Sequence, residues 1–142
     1  MMTTKDTIER NYKRGLWTKE MLVKLVVKGK LSTSDYASIV EDNIPLENLT
    51  SEETQKVLTN AVQAYMDKTV QARGYDNIHT ACSYANSTDA IFAREGCACV
   101  AWRDAVWRMC YNILEDVKLG IRKIPTVEEL LNELPKLEWD AI

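Results

Sequence analysis

From Ala90 to Gly120 the chain contains no proline and repeats its apolar residues at helical spacing. At 3.6 residues per turn, Cys99, Trp102, Val106, Met109, Cys110, Ile113 and Val117 fall on one stripe, while Arg103, Arg108, Glu115 and Lys118 lie mostly off it. This predicts one long amphipathic helix, and a helix carrying two tryptophans has to be covered by other elements. Its single glycine, Gly96, costs about 1 kcal/mol relative to alanine, which burial of the tryptophans would offset. The rest of the fold has to be arranged around this rod.

A second long helix is predicted from Ser51 to Gly74, with Ser51, Glu52 and Glu53 at its start. Its stripe is Val57, Leu58, Ala61, Val62, Tyr65, Met66, Thr69 and Val70. At 1.5 Å per residue it spans roughly 30 Å, long enough to pair antiparallel with the first along its length. Gly74-Tyr75-Asp76-Asn77 reads as a stop followed by a new cap, with Asp76 as the capping residue, and Ile78 to Tyr84 as a short helix. Asn86 to Asp89 restarts the chain. Beyond Gly120, Pro125-Thr126 opens a last helix with Glu128 and Glu129 in its first turn and Leu130, Leu131 and Leu134 inside; Pro135 ends it. Trp139 is the one large apolar group left in the tail, and it is expected to fold back on the core. No strand, repeat or low-complexity run is predicted.

Before residue 46 the pattern is finer grained. Lys5 to Arg14 forms a short helix with Ile8 and Tyr12 one turn apart. Thr18 caps a second, with Met21, Leu22, Leu25 and Val26 apolar and Gly29 as its left-handed stop, and Ser32, Thr33 or Ser34 opens a third with Tyr36, Ile39 and Val40. Asp42 to Thr50 has the turn chemistry of a boundary, and its Ile44, Leu46 and Leu49 make it a packed connector rather than a tether. The expected architecture is all-α: a small N-terminal helical module, residues 1–45, and a C-terminal helical domain, residues 46–142, built on two long antiparallel helices. The module has few large apolar groups and should dock on the rest of the chain or on a partner.

Composition closes off several classes of function. Eighteen basic and 21 acidic residues give a formal net charge of −3, so no overall field attracts nucleic acid or anionic lipid. The longest early apolar run, Met21 to Val27, is interrupted by Lys24 and too short to span a bilayer, and the start does not read as a signal peptide. A cytosolic origin is expected, with Cys82, Cys97, Cys99 and Cys110 as thiols. The helix-turn-helix spacing of the module invites a DNA-binding reading. However, the segment in the recognition position, Ser34 to Asp42, holds Asp35, Glu41 and Asp42 and no Arg, Lys, Asn or Gln to read a base edge.

Two resemblances supply a setting. Tyr12-Lys-Arg-Gly-Leu-Trp17-Thr-Lys-Glu-Met21, followed by Val26-Val-Lys-Gly29-Lys-Leu-Ser-Thr-Ser-Asp-Tyr36-Ala-Ser-Ile39, resembles the short XkdX-type proteins encoded among phage tail genes. The blocks Gln71-Ala-Arg-Gly-Tyr75-Asp76, Ala81-Cys-Ser-Tyr-Ala85, Ala101-Trp102-Arg103-Asp104-Ala-Val-Trp107 and Pro125-Thr-Val-Glu-Glu-Leu130 with Leu134-Pro135 resemble an uncharacterised domain of phage tail-fibre gene clusters. These resemblances imply a non-enzymatic tail or tail-fibre structural or assembly protein. It would act by docking on tail or tail-fibre subunits, as a homo-oligomer, in the virion tail or in the host cytoplasm during assembly, without cofactor, nucleic acid or membrane. A free cytosolic phage-encoded regulator or inhibitor of a host factor is the alternative.

Chemistry is sparse. His79-x-x-Cys82 with Cys97-x-Cys99 has zinc-ligand types, but Cys97 and Cys99 stand about 200° apart on a helix, so buried thiols are the expected reading. With one histidine in the chain, a Cys-His nucleophile would have to use His79, and no oxyanion loop accompanies it. Interaction or scaffold residues are expected at Trp17, Tyr36, Tyr75, Asp76, Trp102, Arg103, Asp104, Trp107 and Trp139. For Arg103 two readings stand: a solvated pair with Asp104, or a clasp onto the Gly74-Tyr75-Asp76 corner.

Overall fold

The computed structural model describes residues 4–139, and all regular structure in them is helical. Seven α-helices follow in order among the described residues: α1 Thr4–Lys13, α2 Lys19–Val27, α3 Thr33–Val40, α4 Ser51–Gln71, α5 Ile78–Ser83, α6 Ala90–Lys118 and α7 Val127–Glu133, with a 3-10 turn at Tyr84–Asn86 after α5. None of these helices is long and apolar enough to cross a membrane.

The chain divides into two compact units, Met1–Val62 with Thr126–Glu128, and Gln63–Pro125 with Glu129–Ile142. The division falls inside α4, whereas the sequence places the join near residue 46, ahead of that helix. The core of the first unit supplies the reason. Ile8, Leu22, Val26, Leu31, Tyr36 and Ile39 of the three small helices are buried together with Ile44 of the connector and Val57 of α4, and Val127 packs against them. Three short helices leave an apolar face open, and the first two turns of α4 help to close it.

Capping residues punctuate this unit. Thr18 Oγ1 accepts the Met21 N–H at 3.3 Å, and Ser32 Oγ accepts that of Asp35 at 3.0 Å. At the start of α4 a reciprocal box forms: Glu53 N–H donates to Thr50 Oγ1 at 3.1 Å and Thr50 N–H to Glu53 Oε1 at 3.0 Å. The cap is therefore Thr50, one residue before Ser51, where the sequence starts the helix, since Ser51 already has helical geometry. Gly29, at φ +77°, makes the turn between α2 and α3.

In the second unit α6 is the axis. Its N-cap is Asp89, whose carboxylate accepts from Ile91 and Phe92 N–H, both at 3.0 Å. The closest backbone neighbours of α6 are α5 and the 3-10 turn, not α4 as the predicted full-length pairing would have it. Gly96 explains this. A Cβ there would stand 2.2 Å from the Ala85 backbone nitrogen and 2.5 Å from the Tyr84 carbonyl carbon. Only a glycine lets the 84–86 backbone lie directly on the helix, so the residue predicted as a tolerated cost is a contact point. The C-terminal part of α4 does run antiparallel to α6: Tyr65 meets Trp102 with ring centroids 6.1 Å apart, and Arg73, just past α4, meets Glu95.

Candidate functional site

Gly74 ends the turn after α4 at φ +98°, which directs Arg73 and Tyr75 to the first turns of α6. There Glu95 is a buried carboxylate, one of two buried polar side chains among the described residues. Tyr75 Oη donates to Glu95 Oε1 at 2.8 Å, and Arg73 Nη2 lies 2.6 Å from Oε2. Each oxygen therefore has its own donor, which a buried carboxylate needs. Burial first, then the hydrogen bond to Glu95 and its charge, push the Tyr75 phenol up to about 12.

Aromatic rings cover this ionic centre. Trp139 stacks on Tyr75 at 6.0 Å with an interplanar angle of 18°, and the Arg73 guanidinium sits 4.9 Å from the Trp139 ring centroid. Tyr75 tilts onto Tyr84 at 5.5 Å, and Tyr84 meets Phe92 edge-on at 5.7 Å. Further along α6, Trp102 is buried and its Nε1–H donates to the Pro135 carbonyl at 2.7 Å. The tail is thus held at both ends of the segment 135–139.

Arg103 does not clasp the Gly74-Tyr75-Asp76 corner. Its guanidinium donates to Asp104 at 3.0 and 3.1 Å and lies beside the Cys82 thiol. The reason is distance along the rod: Arg103 stands eight residues, about 12 Å, beyond Glu95, the position that faces Tyr75. Arg73 performs the clasp instead. Asp76 is exposed and offers only its carbonyl, to Gln71 at 3.0 Å; the cap of α5 is Asn77, whose side chain accepts from Thr80 N–H at 2.8 Å. Trp107 is half-buried, not core, because five residues turn it away from the side of Trp102. Trp17 is half-buried against the first unit's core and Tyr36 is fully inside it.

The cysteine and histidine positions scatter. His79 is exposed, Cys82 and Cys99 are buried, and Cys97 Sγ lies 3.8 Å from the Ala85 carbonyl. No group of three His, Cys, Asp or Glu among the described residues is placed to hold a metal ion. Burial pushes the Cys99 thiol up to about 12 and raises those of Cys82 and Cys110, which favours the neutral thiol over the nucleophilic thiolate in each.

Sequence reasoning missed Glu95 and Gly96. The signal for Glu95 was present: continuing the buried stripe one turn back from Cys99 lands on a carboxylate, and a charge on a buried stripe implies a partner.

Beside this corner, the unit presents exposed apolar side chains near both ends of α6. Tyr84, Ile91 and Phe92 are exposed near its start, and Tyr111, Leu119, Ile121 and Ile124 towards and beyond its end.

Residues 6–41 fit the model of a family described as "Phage uncharacterised protein (Phage_XkdX)". The span runs from α1 to the residue that closes α3, so the first unit's three small helices are similar to an XkdX-type phage protein N-terminus. Neither the curated proteins nor the solved structures contain a match.

Proposed function

We propose that this chain is a non-enzymatic component or assembly factor of a phage tail or tail fibre, acting by docking helical faces and exposed aromatics on tail subunits. The observation that carries the reading is the match of residues 6–41 to a phage protein family. The blocks Tyr12 to Met21 and Val26 to Ile39, which resemble XkdX-type proteins, lie inside that span and support it. So does the distribution of exposed apolar side chains, which suits protein contact better than chemistry.

Mass spectrometry of purified particles, with the infected-cell lysate analysed beside them, tests the proposal. The expected result is the chain at a fixed ratio to tail subunits in particles, or, for an assembly factor, co-purification with tail subunits from the lysate alone. Abundance in the lysate with neither association overturns it in favour of a free cytosolic binding protein directed at a host factor.

A further inference from the structure

The outer face of α6 from Ala101 to Leu119 is not an ordinary solvated face. Its exposed positions are Ala101, Asp104, Ala105, Arg108, Tyr111, Asn112, Glu115, Lys118 and Leu119, which recur at intervals of three and one and so form a single stripe about 27 Å long. A stripe meant only for water is filled with long charged side chains. Here Tyr111 is 69% and Leu119 64% exposed, and two alanines leave hollows at the opposite end. Arg108, Glu115 and Lys118 form no ion pair with any described residue, and Asp104 pairs only with its neighbour Arg103 while remaining 65% exposed.

The order of charges along the stripe is self-complementary. If the stripe is laid antiparallel on a copy of itself about a two-fold axis between Tyr111 and Asn112, Arg108 comes level with Glu115, and Asp104 falls within one residue of Lys118, each pair occurring twice. The same register brings Leu119 of one copy within one residue of Ala105 of the other, and the two Tyr111 rings side by side at the centre. A parallel alignment sets Arg108 against Arg108 and Glu115 against Glu115. We propose that the exposed stripe of α6 is an isologous dimer interface whose occupant is a second copy of this chain, in antiparallel register centred between Tyr111 and Asn112. This deepens the docking reading and rests on it for its biological setting. The rim charges set register and orientation, and the tyrosine, leucine and alanine contacts supply the association.

The test is sedimentation equilibrium of the full chain together with charge swaps and cysteine pairing. A dimer with a dissociation constant on the order of micromolar is expected for a helix-pair interface of this modest size. Arg108→Glu places four like charges where two ion pairs stood, and it should weaken the dimer by about tenfold or more, as should Glu115→Arg. Combining the two in one chain restores the pairs and should restore the dimer. Under mild oxidation Tyr111→Cys should give a disulfide-linked dimer and Ala101→Cys should not, with the unsubstituted chain as control for its own thiols. A chain still monomeric at millimolar concentration, a charge swap that fails to rescue, or equal crosslinking at both positions overturns the proposal. A monomer that still enters particles would overturn the dimer and leave the tail function standing; a dimer that associates with no tail subunit would do the reverse.

Discussion

The two units are held in different ways. In the first, α2, α3 and α4 each begin at a side-chain cap close to its place in the sequence, and the core is a cluster of aliphatic residues with Tyr36 as its largest member. In the second, the decisive contacts join residues far apart: Gly96 to the Tyr84–Ala85 backbone, Glu95 to Arg73 and Tyr75, Trp102 to Pro135 and Trp139 to Tyr75. One region is assembled from many small local terms, the other from a few contacts that stand or fall together. The difference implies that single substitutions should damage the second unit far more than the first.

The largest effect is expected at Gly96. A methyl group there meets backbone atoms, which cannot swing aside as the end of a side chain would. Gly96→Ala has to separate the 3-10 turn from α6, at a cost of about 3 kcal/mol or more, despite the better helix propensity of alanine. Hydrogen exchange should show lost protection in α5 and the first turns of α6, with α2 and α3 unchanged. Unaltered protection throughout would mean that the close approach contributes nothing.

Next is the ionic corner. Arg73→Ala leaves Glu95 buried with Tyr75 as its only partner. The cost should be about 1–3 kcal/mol, towards the lower end because the Arg73 side chain is 48% exposed and water can partly replace it. Glu95→Gln keeps the shape but gives up the charge that both donors address. The double variant should cost less than the sum of the two, since the second change removes a partner that the first has already orphaned. Denaturant melts of the four chains measure this directly, and strict additivity would dissolve the idea of a shared centre.

Alkaline titration gives a third effect, confined to high pH. Tyr75 and Cys99 are held near 12 in the folded chain, against ordinary values of 10.0 and 9.0. In the unfolded chain both groups lose their protons first, so the stability they contribute is full below about pH 9 and declines as pH rises towards 12. The denaturation midpoint should fall across that window. Tyr75→Phe should flatten its upper part, and an unchanged slope in that variant would assign the effect to the thiols.

Much of this was legible in the sequence, and the part that was not follows from the same contrast. Local signals placed α2, α3, α5 and α6 closely: Thr18 and Gly29 bracket α2, Ser32 opens α3, and Asp89 opens α6. The capping errors at Ser51 and Asp76 are slips of one residue between neighbours of equal capping chemistry. The larger misses, Gly96 as a contact point and Arg73 in place of Arg103 as the clasp, concern which distant segment meets which turn of α6. Helical periodicity fixes the side of a rod that is buried, but not how far along it a partner lands; Arg73 and Arg103 are equally plausible cations until Gly74 sends the chain towards Glu95.

The smallest expected effects belong to the first unit, and they test the comparison from its other side. Ser32→Ala removes the acceptor for Asp35 N–H, and Thr50→Ala removes one half of the reciprocal box with Glu53. Each should cost about 1 kcal/mol, because the orphaned N–H groups at exposed helix ends turn to water instead of staying unsatisfied. The two caps share no partner, so the double variant should lose the sum to within about 0.5 kcal/mol. Additivity here beside non-additivity at Arg73 and Glu95 would show one chain stabilised in two ways. A marked coupling between Ser32 and Thr50 would instead mean that the three small helices and the start of α4 fold as one cooperative piece, and that closure of the core by Val57 matters more than the caps.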